Sequence, residues 1–224
     1  MLIPVNDAVK SDASQDAPKS SIDFGKHWSA NFRNDPKRLS FVLSRYKFSA
    51  QMGSKNRRVI ELGCSDGIGA TILAEYAEDY TGVDFDLQAI ETAKTNLPSD
   101  HYQFIYADFM GKKFGEFDTA VSLDVIEHVF SETVDQYYET ILMNLNPNGM
   151  CIIGTPNITS ASYASLPSQT GHVNLYSQER LVNELGQYFH QVLPFGMNDE
   201  ILHTGYGPMC HYLICLACHP KEKR

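Results

Sequence analysis

The sequence predicts an α/β fold: a doubly wound, seven-stranded, mostly parallel sheet with an antiparallel last strand. Three observations carry this. Short apolar runs alternate with amphipathic helical stretches from residue 36 onward. The runs are apolar almost throughout rather than at every second residue, as expected when helices cover both faces of a sheet. The last two runs have only a loop between them, so they are expected to pair as antiparallel neighbours.

Each element has its own signal. Asp35-Pro36 reads as a cap and a first helical residue, and Leu39, Val42, Leu43, Tyr46 and Ala50 form one stripe, giving a leading helix at about 36–51. Residues 58–62 are a strand ending in glycine. Ile68, Ile72, Leu73 and Tyr76 give a helix face, and 80–84 a second strand. Leu87, Ile90, Lys94 and Leu97 mark a helix stopped by Pro98. Strands follow at 102–107 and 117–123. Val134, Tyr137, Tyr138, Ile141, Leu142 and Leu145 form the clearest amphipathic helix. A turn at 146–149 leads to a strand at 150–154. Residues 155–176, rich in Ser, Pro and Gly, read as a long loop and candidate lid. Ser177 caps a helix through Leu185, and the last strands fall at about 189–195 and 209–217. Residues 1–22 lack periodicity and read as a mobile leader before a single domain at 23–224.

Composition excludes several classes. With 224 residues, 43% of them hydrophobic, the chain can build a full core and is neither disordered nor collagen-like. No apolar run reaches the roughly 18–20 residues of a membrane span. A net charge of −9 speaks against a nucleic-acid partner. The first residues lack a basic and apolar export signal, which points to the cytoplasm and to five reduced cysteines. Cys215, Cys218 and His219 match a haem-attachment spacing, but the two cysteines would face opposite sides of a strand.

In such a sheet, ligands bind beyond the carboxyl ends of the strands. Glu61-Leu62-Gly63-Cys64-Ser65-Asp66-Gly67 follows the first strand there, and Asp84 ends the second, 23 residues after Glu61. The glycines allow a tight turn, and an acidic residue at Asp84 suits ribose hydroxyls. The spacing is not that of a dinucleotide fingerprint. Glu61 and Asp66 disfavour a pyrophosphate and suit a nucleoside with a cationic tail, as in S-adenosylmethionine.

With Ala107-Asp108-Phe109, Ser122-Leu123-Asp124-Val125-Ile126-Glu127-His128 and Thr155-Pro156-Asn157, these segments resemble a class I S-adenosylmethionine-dependent methyltransferase. The resemblance covers residues 36–217 and implies a Rossmann-like methyltransferase fold. It places Glu61 and Gly63 by the methionine end of the cofactor, Asp84 at the ribose, Asp108 at the adenine amino group with Phe109 nearby, and Leu123 on the methionine side. Cys64, Ser65, Gly67 and Phe85 complete the implied cofactor-binding set. Many members carry glycine where this chain has Ser65. Arg45 or Tyr46 is the candidate for the cofactor carboxylate, with a solvated helix face as the competing reading of Arg45.

On the acceptor side, Asp124, Glu127 and His128 fall on one turn, and His172 lies in the long loop. Glu127, His128 and His172 are candidate ligands for a divalent metal, Mg or Mn. The set resembles the E-x-x-E-H plus distal His arrangement of metal-dependent small-RNA 3′-end methyltransferases, and its first half that of ubiquinone-biosynthesis O-methyltransferases. Asp124 replaces the first glutamate. His203 is a second candidate base, oriented by Asp199 or Glu200. The catalytic candidates are thus His203, His172, Asp124 and Asp199. Across its length the chain is similar to small-molecule methyltransferases of bacterial surface-polysaccharide gene clusters. That implies O-methylation of a sugar, nucleotide-sugar or related small acceptor. Methylation of a macromolecule (an RNA 3′ end or a protein) and cofactor binding without catalysis are the alternatives.

Overall fold

The computed structural model describes residues 21–222. The expected mobile leader lies, up to residue 20, outside them. The described residues begin with two helices, α1 (Gly25–Asn34) and α2 (Pro36–Gly53), and then alternate: β1 (Arg58–Leu62), α3 (Ala70–Ala74), β2 (Asp79–Asp84), α4 (Leu87–Asn96), β3 (Tyr102–Tyr106), β4 (Phe117–Leu123). Next come α5 (Val134–Asn144), β5 (Leu145–Pro156), α6 (Leu166–Gly171), α7 (Gln178–Tyr188), β6 (Phe189–Asn198), β7 (Ile201–His203) and β8 (Tyr212–Pro220). Among the described residues, no helix is long and apolar enough to cross a membrane.

The strands form one sheet in the order β3-β2-β1-β4-β5-β8-β6-β7. β1 to β5 pair in parallel, whereas β8 is antiparallel to both β5 and β6. The chain moves outward from β1 to β3 and then returns to β4 on the other side of β1. That reversal opens a crevice at the strand ends, the usual ligand position in an open α/β sheet.

Both faces of the sheet are covered, which accounts for the unbroken apolar strands. Ile60, Leu62 and Ile153 pack with Tyr137, Ile141, Leu181 and Leu185 of α5 and α7. Val59, Val121 and Leu123 pack with Val42, Tyr46, Leu73 and Ile90 of α2, α3 and α4. At about 1.5–3 kcal/mol per buried aliphatic side chain, this burial is the main force holding the layers together.

Five expectations need correction. The sheet has eight strands, not seven. β7 pairs with β6 across a tight turn in which Asp199 has φ +52°, so the polar residues there make a hairpin rather than a loop. The turn at 146–149 is an irregularity inside β5, where Phe117 faces Leu145 but Thr119 faces Met150. Segment 155–176 is largely ordered: a 3-10 turn, Ile158–Tyr163, is capped by Asn157, and α6 is capped by Ser165. Its Asn, Ser and Pro are helix-start signals. Lastly, α1 precedes the expected leading helix. Buried Trp28 packs it on the α2 layer, and Asp23 and Asn96 exchange hydrogen bonds across to the end of α4. Asp35 makes no side-chain cap on α2, although Pro36 does stand in its first turn.

Candidate active site

The turn after β1 is built on left-handed residues: Gly63 at φ +86°, Ser65 at +50° and Gly67 at +80°. A Cβ on Gly63 would lie 2.4 Å from Val125, so this glycine lets the segment after β4 close directly on the turn. Ser65 adopts the conformation that glycine adopts freely. Its N–H donates to Asp84 Oδ2 at 2.8 Å, and Asp86 N–H donates to Asp84 Oδ1 at 2.9 Å. The Asp84 carboxylate is thereby fixed at the edge of β2, with acceptor capacity left for ligand hydroxyls.

Glu61 is turned into the protein. Its carboxylate accepts hydrogen bonds from Tyr46 Oη at 2.7 Å and from Tyr80 Oη, tying α2 and β2 to β1. Burial pushes its carboxyl up to about 7; the two tyrosines oppose the shift and Asp84 adds to it. Burial likewise raises Asp66 to about 7. Gly25, at the start of α1, is set against Asp66 so closely that a Cβ there would lie 2.5 Å from Oδ2. Cys64 is fully buried, and its thiol is pushed up by burial, so it packs beneath the turn. Phe109 is also in the core, 6.3 Å from Tyr137 between ring centres. Asp108 stays exposed and accepts from Met110 N–H at 3.0 Å, while Phe85 is 71% exposed beyond Asp84. Leu123 is buried at the end of β4. A carboxylate placed for ribose hydroxyls and an exposed aromatic ring beside it fit a nucleoside.

The expected acceptor side is assembled from distant segments. Glu127 and His128 lie on a 3-10 turn just past β4, and His172 follows α6. One ligand atom from each of the three falls within 4.8 Å of the others. Glu127 accepts from Thr155 Oγ1 at 3.0 Å. Its carboxyl is pushed up to about 8 by burial and by the neighbouring Asp124, against the lowering by Thr155 and Arg45. His128 Nδ1 lies 2.9 Å from the Gly171 carbonyl. A carbonyl can only accept, so Nδ1 is the donor in this contact and Nε2 is the ring nitrogen left to face a ligand. The His172 ring stands 5.0 Å from that of His128. Burial lowers its proton affinity, as do His128 and Arg38, whereas Asp124 raises it.

The remaining candidates are placed differently. Asp124 is not in the cluster: it is held at φ +57° and paired with Arg45 at 2.9 and 3.1 Å. Its short side chain reaches α2 instead. Arg45 is therefore engaged by Asp124, with its guanidinium 3.5 Å above the Tyr212 ring. His203 lies on the edge strand, where Nδ1 accepts from Gly205 N–H at 3.1 Å. Neither expected carboxylate orients it. Asp199 donates its backbone N–H to His211, and Glu200 accepts from Ser40. Sequence reasoning missed His211, which stands at the head of β8 near Arg45 and Phe41. The signal was available, because an antiparallel last strand must begin at the edge where parallel strands end.

Residues 33–190 match a family model described as a methyltransferase domain. The chain belongs to this methyltransferase family. Its fold is that of the class I S-adenosylmethionine-dependent methyltransferases. Among curated proteins, it is 31% identical over 136 residues to a ubiquinone biosynthesis O-methyltransferase of Rickettsia felis, covering 58% of this chain and 54% of that protein. The chain thus spans about half the length of the curated relatives it matches. Two solved structures share the fold. One is a putative methyltransferase in complex with the Trm112 activator from Haloferax volcanii, with TM-score 0.70, 12% identity and coverage of 88% and 96% of the two chains. The other is the N-methyltransferase NodS from Bradyrhizobium japonicum in complex with S-adenosyl-L-homocysteine, with TM-score 0.63, 16% identity and coverage of 85% and 91%.

Proposed function

We propose that this methyltransferase moves a methyl group from S-adenosylmethionine to an oxygen of a small polar acceptor, with a divalent cation at Glu127, His128 and His172. The observation that carries this reading is the convergence of those three side chains next to Val125, which covers the Gly63 turn. When bound, S-adenosylmethionine supplies an electrophilic methyl on a sulfonium, and a divalent cation supplies Lewis acidity that lowers a hydroxyl pKa.

The protein's part is to position and to manage a proton. Gly63, Ser65 and Gly67 shape the cofactor turn, Asp84 accepts from the ribose and Asp108 from the adenine amino group. Glu127, His128 and His172 would hold the cation, and two imidazoles with one carboxylate suit Mn better than Mg. Positioning alone is worth about 7–11 kcal/mol of a bimolecular barrier. The acceptor class we favour is a sugar hydroxyl. A ubiquinone-biosynthesis acceptor is the second reading, favoured by the Rickettsia felis relative. The net charge of −9 weighs against an RNA acceptor.

Calorimetric titration with S-adenosylhomocysteine, with and without Mn2+, tests the cofactor assignment. Micromolar binding supports it. Binding without methyl transfer to any sugar or phenolic acceptor would leave a cofactor-binding protein, and no binding would reject the assignment.

A further inference from the structure

A cavity of about 450 Å3 opens between the end of β5 and the ordered segment that follows it. Its wall includes His172, which also belongs to the Glu127–His128–His172 cluster. Ser160, Ala161, Ser162, Ala164 and Ser168 create the space, because each side chain has at most two heavy atoms. The volume lies in the range of about 300–1,000 Å3 typical of small-ligand sites.

The lining has one chemical character. It contains no carboxylate, ammonium or guanidinium group. Asn157 is committed to the frame: its Nδ2 donates to the carbonyls of Gly207 and Cys210 at 2.9 and 2.8 Å. Gln169 Nε2 donates to the Ala164 carbonyl at 2.8 Å, which leaves Oε1 to accept from a ligand. Ser160 Oγ is committed to the Asn157 and His211 carbonyls at 2.8 and 3.0 Å, whereas Ser162 makes no side-chain hydrogen bond among the described residues and the Ser168 hydroxyl pairs only with that of Ser165. Alanine methyls and Leu175 supply apolar contact between these polar points. Neutral hydroxyls and an amide oxygen spaced by CH surfaces match a ligand of the same composition. In the wall itself a phosphate or carboxylate would meet no ammonium or guanidinium group.

We propose that this cavity is the acceptor site and that it takes an uncharged polyhydroxylated ligand, a neutral sugar, with one hydroxyl directed at His172. The inference rests on the O-methyltransferase reading and narrows it. Phosphorylated sugars and nucleotide-sugars are then poor acceptors. Arg38 marks the contrary case. It stands half-buried on α2, close enough to His172 to lower its proton affinity, and outside the cavity wall.

The test uses the full chain saturated with S-adenosylhomocysteine and Mg2+, the diamagnetic cation. Saturation-transfer NMR is run with methyl glucoside, methyl mannoside, methyl rhamnoside, their available 6-phosphates, and catechol. At least one neutral glycoside is expected to bind. Filling the cavity with Ala164→Trp should weaken it at least tenfold, with S-adenosylhomocysteine affinity unchanged within twofold. Because the large ring could disturb the fold, Ala161→Leu and the exposed Gln169→Ala are measured beside it, each expected to weaken the glycoside at least threefold. Preference for a 6-phosphate, binding of catechol alone, binding of none of the probes, or indifference to all three variants would overturn the proposal. Failure of the wild type to bind S-adenosylhomocysteine would instead strike the methyltransferase reading, and the proposal with it.

Discussion

Glu61, at the end of β1, and Glu127, just past β4, are each 1% exposed. Their surroundings differ. Glu61 receives two tyrosine hydroxyls and has become a joint between α2, β1 and β2. Glu127 receives one threonine hydroxyl and faces two imidazoles across less than 5 Å. Burial raises both carboxyls, to about 7 and about 8, so proton affinity alone does not separate them. Partner chemistry does: one carboxylate is closed by donors, and the other stands among groups that bind cations. A shifted pKa marks a site only together with its geometry.

The largest test of this contrast is substitution at the open carboxylate. Glu127→Gln is expected to cut Mn2+ affinity by about 100-fold or more, with S-adenosylhomocysteine affinity unchanged within twofold. Titration calorimetry reads both. Equal loss of both ligands would mean that Glu127, like Glu61, is a structural joint.

Glu61 should instead appear in stability. Its carboxyl stands at about 7 in the fold against an ordinary 4.5. Below pH 4.5 both states are protonated and the contribution is fully present. As pH rises to about 7 the unfolded state ionises first, and stability falls by about 3 kcal/mol. Urea denaturation across this range should show that decline in the wild type and a flatter profile in Glu61→Gln. A parallel decline in both would contradict the assignment.

Arg45→Met comes next. It removes the clamp on Asp124, whose backbone sits in the left-handed region, and should cost roughly 2 kcal/mol. Because the next turn of chain carries Glu127 and His128, the loss should also weaken Mn2+ binding. A stability loss with unchanged Mn2+ affinity would confine Arg45 to packing. The smallest effects belong to the edge strand and the turn. His203→Ala should change turnover less than about twofold, against a loss of about 100-fold or more expected for His172→Ala, which removes a cation ligand. Ser65→Gly should stabilise the protein by about 0.5–1 kcal/mol by relieving φ +50°; a destabilised variant would mean that the serine side chain holds the turn.

The same division governs what the sequence could reveal. The cofactor turn lies in contiguous stretches, with Gly63 and Gly67 just after β1 and Asp84 closing β2. The acceptor side depends on how far segments travel before meeting. Asp124 was legible as a neighbour of Glu127 on one turn, but nothing local shows that Arg45, 79 residues earlier, captures it. His203 looked promising because of nearby carboxylates, yet the hairpin sends them to His211 and Ser40. The α1 helix was not legible at all, since one buried tryptophan and a contact with Asp66 hold a stretch with few apolar residues. The caps at Asn157 and Ser165 read as loop composition, because the same residues serve both purposes.

The most direct measurement is Mn2+ titration into the S-adenosylhomocysteine-saturated protein, in the wild type and in His172→Ala. The structure leads us to expect saturable binding of one ion per chain, lost in His172→Ala while S-adenosylhomocysteine remains bound. No saturable binding, or binding that His172→Ala leaves intact, would contradict a cation-assisted acceptor site at Glu127, His128 and His172.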